Sequence, residues 1–279
     1  MKSPIRLLAL DLDGTVLTND KHISPVTRTA LEKAIAAGVT VLPASGRPLT
    51  GITQEFLDIP GVNYALTSNG AVVYRLSDGV QIHADYLDTQ LAADLMRQFL
   101  QLNLMATFFA DGKGYATASQ LDLLPQLSIS EPVRAYLRNS RIVLDDPVEY
   151  ILTHGHVEKF TLNFLHDTDD HWVDEAPLRA ILAQHPTLSV VSGGTDNLEI
   201  TAPTASKGHA MLALAAHLGI PQEQTMACGD SENDVEMLRS AGLSVAMANS
   251  EDCVFQTAKV VTTSNEEDGV AKAIYDYIL

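Results

Sequence analysis

Residues Leu7–Leu10 form an unbroken apolar run, preceded by Ile5, that stops at Asp11-Leu12-Asp13-Gly14-Thr15. A strand that is apolar at every position is buried on both faces, which calls for a parallel sheet covered by helices on each side. Such sheets bind their ligands at the carboxyl ends of the strands. Two acids at that end each raise the cost of ionising the other, and a hard divalent cation is the economical counter-charge. An EF-hand calcium loop is excluded, because counting from Asp11 puts Val16 where the glycine belongs and His22 where the glutamate belongs.

Alternation of strand and helix continues at both ends of the chain. Ser24 as N-cap and Pro25 at the first helical position open a helix that Gly38 ends, and a strand over 39–45 completes a βαβ unit. A short helix follows Gly46, and Asn69-Gly70 between two β-rich runs predicts a hairpin. From Ser206 onward come a helix ended by Gly219, a strand over 224–230, a helix over 231–242 and a strand over 243–249. A helix around 251–259, a short strand at 260–262 and a helix over 268–278 finish the chain. This pattern predicts an α/β fold with one doubly wound parallel sheet.

The middle differs. An amphipathic helix over 88–103, a hairpin about Asp111-Gly112, a polar and less regular stretch, a strand over 158–166, a helix over 174–185 and further strand over 188–201 indicate an inserted α+β domain. The expected boundaries are 1–83 with 196–279 for the core and 84–195 for the insert.

Composition narrows the partners. A net charge of −17 repels nucleic-acid backbone and anionic membrane, so neither is expected as a partner; a small anionic substrate would need local cations. The two cysteines, Cys228 and Cys253, make no disulfide framework. Asp11 and Asp13 break the only early apolar run, and the run over 210–220 is too short to span a bilayer, so a cytoplasmic protein is expected.

Further chemistry-bearing residues fall at strand ends and helix starts. Ser45 and Gly46 could hold a phosphoryl oxygen through a hydroxyl and an amide at a strand-to-helix turn, although Ser45 alone also suits an ordinary cap. Lys207 at a helix start is disfavoured by the helix dipole unless an anion lies nearby. Ser231 and Asp234 have capping-box spacing, which leaves Asp230 unexplained and makes it a third metal-site acid. His154 and His156 have metal-like spacing, but nothing nearby in sequence completes a site, and a polar turn is the better reading.

Taken together, "DLDGT" at 11–15, Ser45, Lys207 and "GDSEND" at 229–234 resemble the four ordered motifs of the haloacid dehalogenase superfamily. "LPASGRP", "TSNGA", "SKG" and "SNEEDGVAKAI" are similar to its Cof-type branch, which carries a type IIB α/β cap where the insert lies. The resemblance implies a Rossmann-like core with a cap that closes over the site, and a Mg2+-dependent phosphatase working through an aspartyl-phosphate. It implies Asp11 as nucleophile and Asp13 as general acid and base, with Mg2+ on the Asp11 carboxylate, the Asp13 carbonyl and Asp230. Leu12, Ser45, Gly46, Lys207 and Asn233 would bind the phosphoryl group, with Asp234 and Ser231 supporting them and Arg47 a possible substrate contact. The expected substrate is a small phosphorylated metabolite, sugar phosphates foremost. The alternatives are a hexose phosphomutase and a non-catalytic phosphate-responsive binding protein.

Overall fold

The computed structural model describes residues 4–192 and 196–279. Two compact units emerge, residues up to 84 together with 206–279, and residues 85–205. In chain order the strands are β1 (Leu7–Leu10), β2 (Thr40–Pro43), β3 (Tyr64–Thr67), β4 (Val72–Arg75) and β5 (Gln81–Ala84). There follow β6 (Leu104–Ala110), β7 (Lys113–Ala116), β8 (Arg141–Val143), β9 (Val157–Phe164), β10 (Ser189–Ser192) and β11 (Asn197–Thr201). The last three are β12 (Thr225–Gly229), β13 (Leu243–Ala246) and β14 (Val260–Val261).

The first unit is built on a parallel sheet of order β14-β13-β12-β1-β2. The apolar run of β1 is explained by its central place. Leu8 and Leu10 face a cluster with the helices Pro25–Ala36 and Gly269–Tyr277, while Leu7 and Ala9 face the helix Lys207–His217 on the other side. Ser24 caps the first of these helices, its hydroxyl accepting from the Thr27 amide at 3.0 Å. The predicted hairpin is present as β3 and β4, and β5 extends it into a three-stranded antiparallel sheet. The segment 231–242 departs from one continuous helix: a 3-10 turn, Glu232–Asp234, precedes the helix Val235–Ser240.

The second unit is a six-stranded sheet of order β10-β11-β9-β6-β7-β8, antiparallel except for the β7–β8 pair. One face packs on the helices Thr89–Phe99, Pro147–His154 and Glu175–Ala183. The expected boundary at 195 is corrected, because β11 pairs with β9 from Asn197↔Asn163 to Thr201↔Lys159, and these ladder bonds tie 197–201 to the insert. Residues 193–195, within that predicted strand region, lie outside the described residues. The stretch expected to be irregular contains two helices, Glu131–Ser140 and Pro147–His154, each with proline in its first turn.

Gly70 sets how closely the β3–β4 turn approaches the Lys207 helix. It sits at φ +96°, and a Cβ there would stand 2.1 Å from the Ser206 carbonyl oxygen. Gly70→Ala should therefore destabilise the protein by about 2 kcal/mol or more, from the left-handed backbone and the steric conflict together. Thermal melting would show it as a lowered midpoint.

Candidate active site

The carboxyl ends of β1 and β12, adjacent in the sheet, place Asp11 and Asp230 at one edge. Asp11 continues the ladder, its amide donating to the Cys228 carbonyl at 3.0 Å. The start of the helix Lys207–His217 brings in the cation: Lys207 Nζ donates to Asp11 Oδ1 and to Asp234 Oδ1, both at 2.7 Å. All three side chains are buried. The anion that a lysine at a helix start requires is thus present as two carboxylates. Asp234 Oδ2 in turn accepts from the Asp230 and Ser231 amides at 3.0 and 3.2 Å, completing the capping box with Ser231.

Carboxylate oxygens of Asp11, Asp230 and Asp234 lie within 4.8 Å of one another. Against the Lys207 ammonium these three acids leave two negative charges, the charge of one divalent cation. The donors are hard oxygens suited to such an ion. The crowding of these acids shifts their titration. Burial, with Asp234 and Asp230 adding to it, holds the Asp11 carboxyl well above the ordinary carboxylate range despite Lys207. Burial and the Asp234 charge push Asp230 up to about 6, against the Thr15 hydroxyl and Lys207. The two acids at Lys207 outweigh burial and raise its pKa. Gly14 leaves room for this grouping, since a Cβ there would lie 2.3 Å from Asp230 Oδ2.

Asp13 lives in a different environment. Arg47 grips it with two bonds, Nε to Oδ2 at 2.9 Å and Nη2 to Oδ1 at 2.8 Å, and Lys21 Nζ adds a third at 2.8 Å. Burial would raise this carboxyl, but the Arg47 charge and the Lys21 contact hold it below its ordinary value. Its carboxylate is therefore not among the three clustered acids. Arg47, predicted as a possible substrate contact, spends its guanidinium on Asp13 and on the Gly51 carbonyl at 3.2 Å.

The remaining predicted residues lie along the same strand ends. Ser45 is buried, its hydroxyl accepts from the Arg47 amide at 3.2 Å, and its own amide donates to Leu66 O at 3.0 Å. Gly46 follows it in the turn after β2, and Leu12 is fully buried between the two acids of the motif. Asn233 Nδ2 donates to Asn69 Oδ1 at 3.3 Å, while Asn233 Oδ1 accepts from the Ser231 hydroxyl at 2.9 Å. Three contributors were not anticipated. Thr15 fixes Asp230 through a 2.9 Å hydroxyl contact, Lys21 holds Asp13, and Asn69 is more than a turn residue. Thr15 stood within the quoted "DLDGT" and Asn69 within the quoted "TSNGA", so their places were available in sequence; Lys21 carried no such signal. His154 stacks on Tyr150 and His156 on Tyr86, and neither joins the acidic cluster.

A family model described as haloacid dehalogenase-like hydrolase matches residues 8–274. The 5-amino-6-(5-phospho-D-ribitylamino)uracil phosphatase YcsE of Bacillus subtilis is 28% identical, over 99% of this chain and 96% of that protein. The pyridoxal phosphate phosphatase YbhA of Escherichia coli is 26% identical, over 98% and 99% respectively. A solved haloacid dehalogenase-like hydrolase from B. subtilis superposes with a TM-score of 0.79 at 26% identity, over 97% of this chain and 99% of that one. The chain belongs to the haloacid dehalogenase-like hydrolase family.

Two measurements test this electrostatic account. Lys207→Met, which strands two buried carboxylates, should cost about 3–5 kcal/mol in urea unfolding at pH 8. A carboxyl with a raised folded pKa binds its proton more tightly when folded, so stability falls as pH rises above the unfolded value of about 3.9. The deficit of this variant should therefore shrink at pH 5. In the wild-type protein, MgCl2 at ~100 times its dissociation constant should raise the melting temperature by about 5 °C. That shift should be smaller at pH 5 than at pH 7.5, because Asp230 titrates near 6, and should largely vanish in Asp230→Asn.

Proposed function

We propose that the chain is a Mg2+-dependent phosphatase of small phosphorylated metabolites, working through a phosphoryl group carried on Asp11. The observation that carries the reading is the buried Asp11 carboxylate at the end of β1, held at 2.7 Å by Lys207 and grouped with Asp230. Lys207 restrains the nucleophile at one oxygen and supplies positive charge for an incoming phosphate. Mg2+, held by Asp11, Asp230 and the Asp13 carbonyl, would neutralise that phosphate and orient it.

In the first step an Asp11 oxygen bonds to phosphorus and the bond from phosphorus to the ester oxygen breaks, with Asp13 giving that oxygen its proton. In the second, water attacks phosphorus, Asp13 takes the water proton, and inorganic phosphate leaves with the Asp11 carboxylate restored. The Ser45 hydroxyl, the Leu12 and Gly46 amides and the Asn233 amide group would hold the phosphoryl oxygens. Asp13 can carry a proton only after exchanging the cations that now grip it, so Arg47 and Lys21 set when it can act. Sugar phosphates are the favoured substrates, in keeping with a relative named for a substrate phosphorylated on a ribityl chain.

The test is release of inorganic phosphate from a panel of sugar phosphates, ribityl phosphates and pyridoxal phosphate, with Mg2+ and with EDTA. Release should depend on the metal and fall about a thousandfold or more in Asp11→Asn. An inert wild-type protein across the panel and with an aryl phosphate would refute the reading.

A further inference from the structure

A cation shared by the ends of β1 and β12 needs those two ends held at a fixed spacing. The loop after β13 grips the main chain at both. Its Glu251 amide donates to the Asp230 carbonyl at 2.9 Å. Two residues earlier, Asn249 Nδ2 donates to the Gly14 carbonyl at 2.8 Å. The orientation of the Asn249 amide is itself set by a neighbour. Its Oδ1 accepts from the Asn265 main-chain amide at 3.0 Å. That amide opens the 3-10 turn Asn265–Glu267, where the first donors have no carbonyl of their own turn to meet. With Oδ1 so engaged, Nδ2 is the end that faces Gly14. Asn265 is buried, and its own Nδ2 donates to the Leu17 carbonyl at 2.9 Å. The two asparagines thus hold the segment 14–17 at both of its end carbonyls.

Gly14 is where such a hold matters. It sits at φ +80° and has no Cβ, so its own conformational preference fixes neither of the peptides on its two sides. The peptide before it carries the Asp13 carbonyl, and the peptide after it carries the oxygen that Asn249 binds. Fixing the second therefore limits how the first can turn. Arg47 and Lys21 grip Asp13 only at its carboxylate. Asn249 is exposed, so its contact with Gly14 is not forced on it by core packing.

We propose that Asn249 is a positioning residue for the divalent cation: by holding the Gly14 carbonyl it keeps the Asp13 carbonyl turned toward Asp11 and Asp230. This inference rests on the metal site of the proposed phosphatase, but its test reads metal binding and not turnover. Mg2+ demands near-ideal octahedral geometry, whereas Ca2+ accepts looser and more variable sets of oxygens. A carbonyl freed to turn therefore costs Mg2+ more than Ca2+, while a general loss of folded protein would cost both alike. The full wild-type chain and Asn249→Ala are titrated with MgCl2 and with CaCl2 by calorimetry, circular dichroism confirming that the variant is folded. Asn249→Ala should bind Mg2+ about fivefold more weakly, the worth of one hydrogen bond, and Ca2+ weaker by about twofold or less. An unchanged Mg2+ affinity in the variant, or equal losses for the two cations, would overturn this inference and leave the proposed function standing. A wild-type chain that binds neither cation would overturn both.

Discussion

The Lys207 ammonium, buried between the Asp11 and Asp234 carboxylates, is the interaction on which the first unit's chemistry rests. A charge taken out of water is tolerable only when its partners are close and their other lone pairs are used. Here the partners sit at 2.7 Å, and the second oxygen of Asp234 is held by the Asp230 and Ser231 amides. This chain of contacts joins the end of β1, the start of the Lys207 helix and the turn after β12. The parallel order of β12 and β1 brings those three points together; nothing in their sequence separation would.

The same arrangement divides the two acids of the opening motif. Asp11 is pushed up by burial and by neighbouring acids, while Asp13 is pulled down by Arg47 and Lys21. Two carboxylates in environments that drive their pKa values apart are suited to two jobs. The proposed reaction asks the reverse of each, an ionised Asp11 and a protonated Asp13. A divalent cation beside Asp11 would lower the first, and release from Arg47 and Lys21 would free the second.

Much of this was legible in the sequence, for identifiable reasons. The continuous apolar run of β1 announced burial on both faces, and Ser24-Pro25, Gly38 and Gly219 marked helix ends because caps and left-handed termini are local devices. Asp11, Lys207 and Asp230 were singled out because each looked out of place where it stood, whereas Asp234 was noticed through its capping-box spacing with Ser231. What stayed hidden depended on partners distant in the chain. No local signal places Lys21 on Asp13 or Asn69 on Asn233, and the pairing of β11 with β9 decides a boundary that composition put ten residues earlier. The polarity of 119–157 masked the helices Glu131–Ser140 and Pro147–His154, whose proline starts were nevertheless present.

The most direct test of the central claim is chemical trapping of the phosphoryl group during turnover. Borohydride reduction of an acyl phosphate converts the aspartate to homoserine, and tryptic cleavage after Arg6 and Lys21 isolates the segment that contains both Asp11 and Asp13. Sequencing that peptide by mass spectrometry should find homoserine at position 11 when substrate and Mg2+ are both present, and aspartate when either is withheld. Turnover with position 11 unmodified, or with the modification at Asp13 or Asp230, would contradict the account.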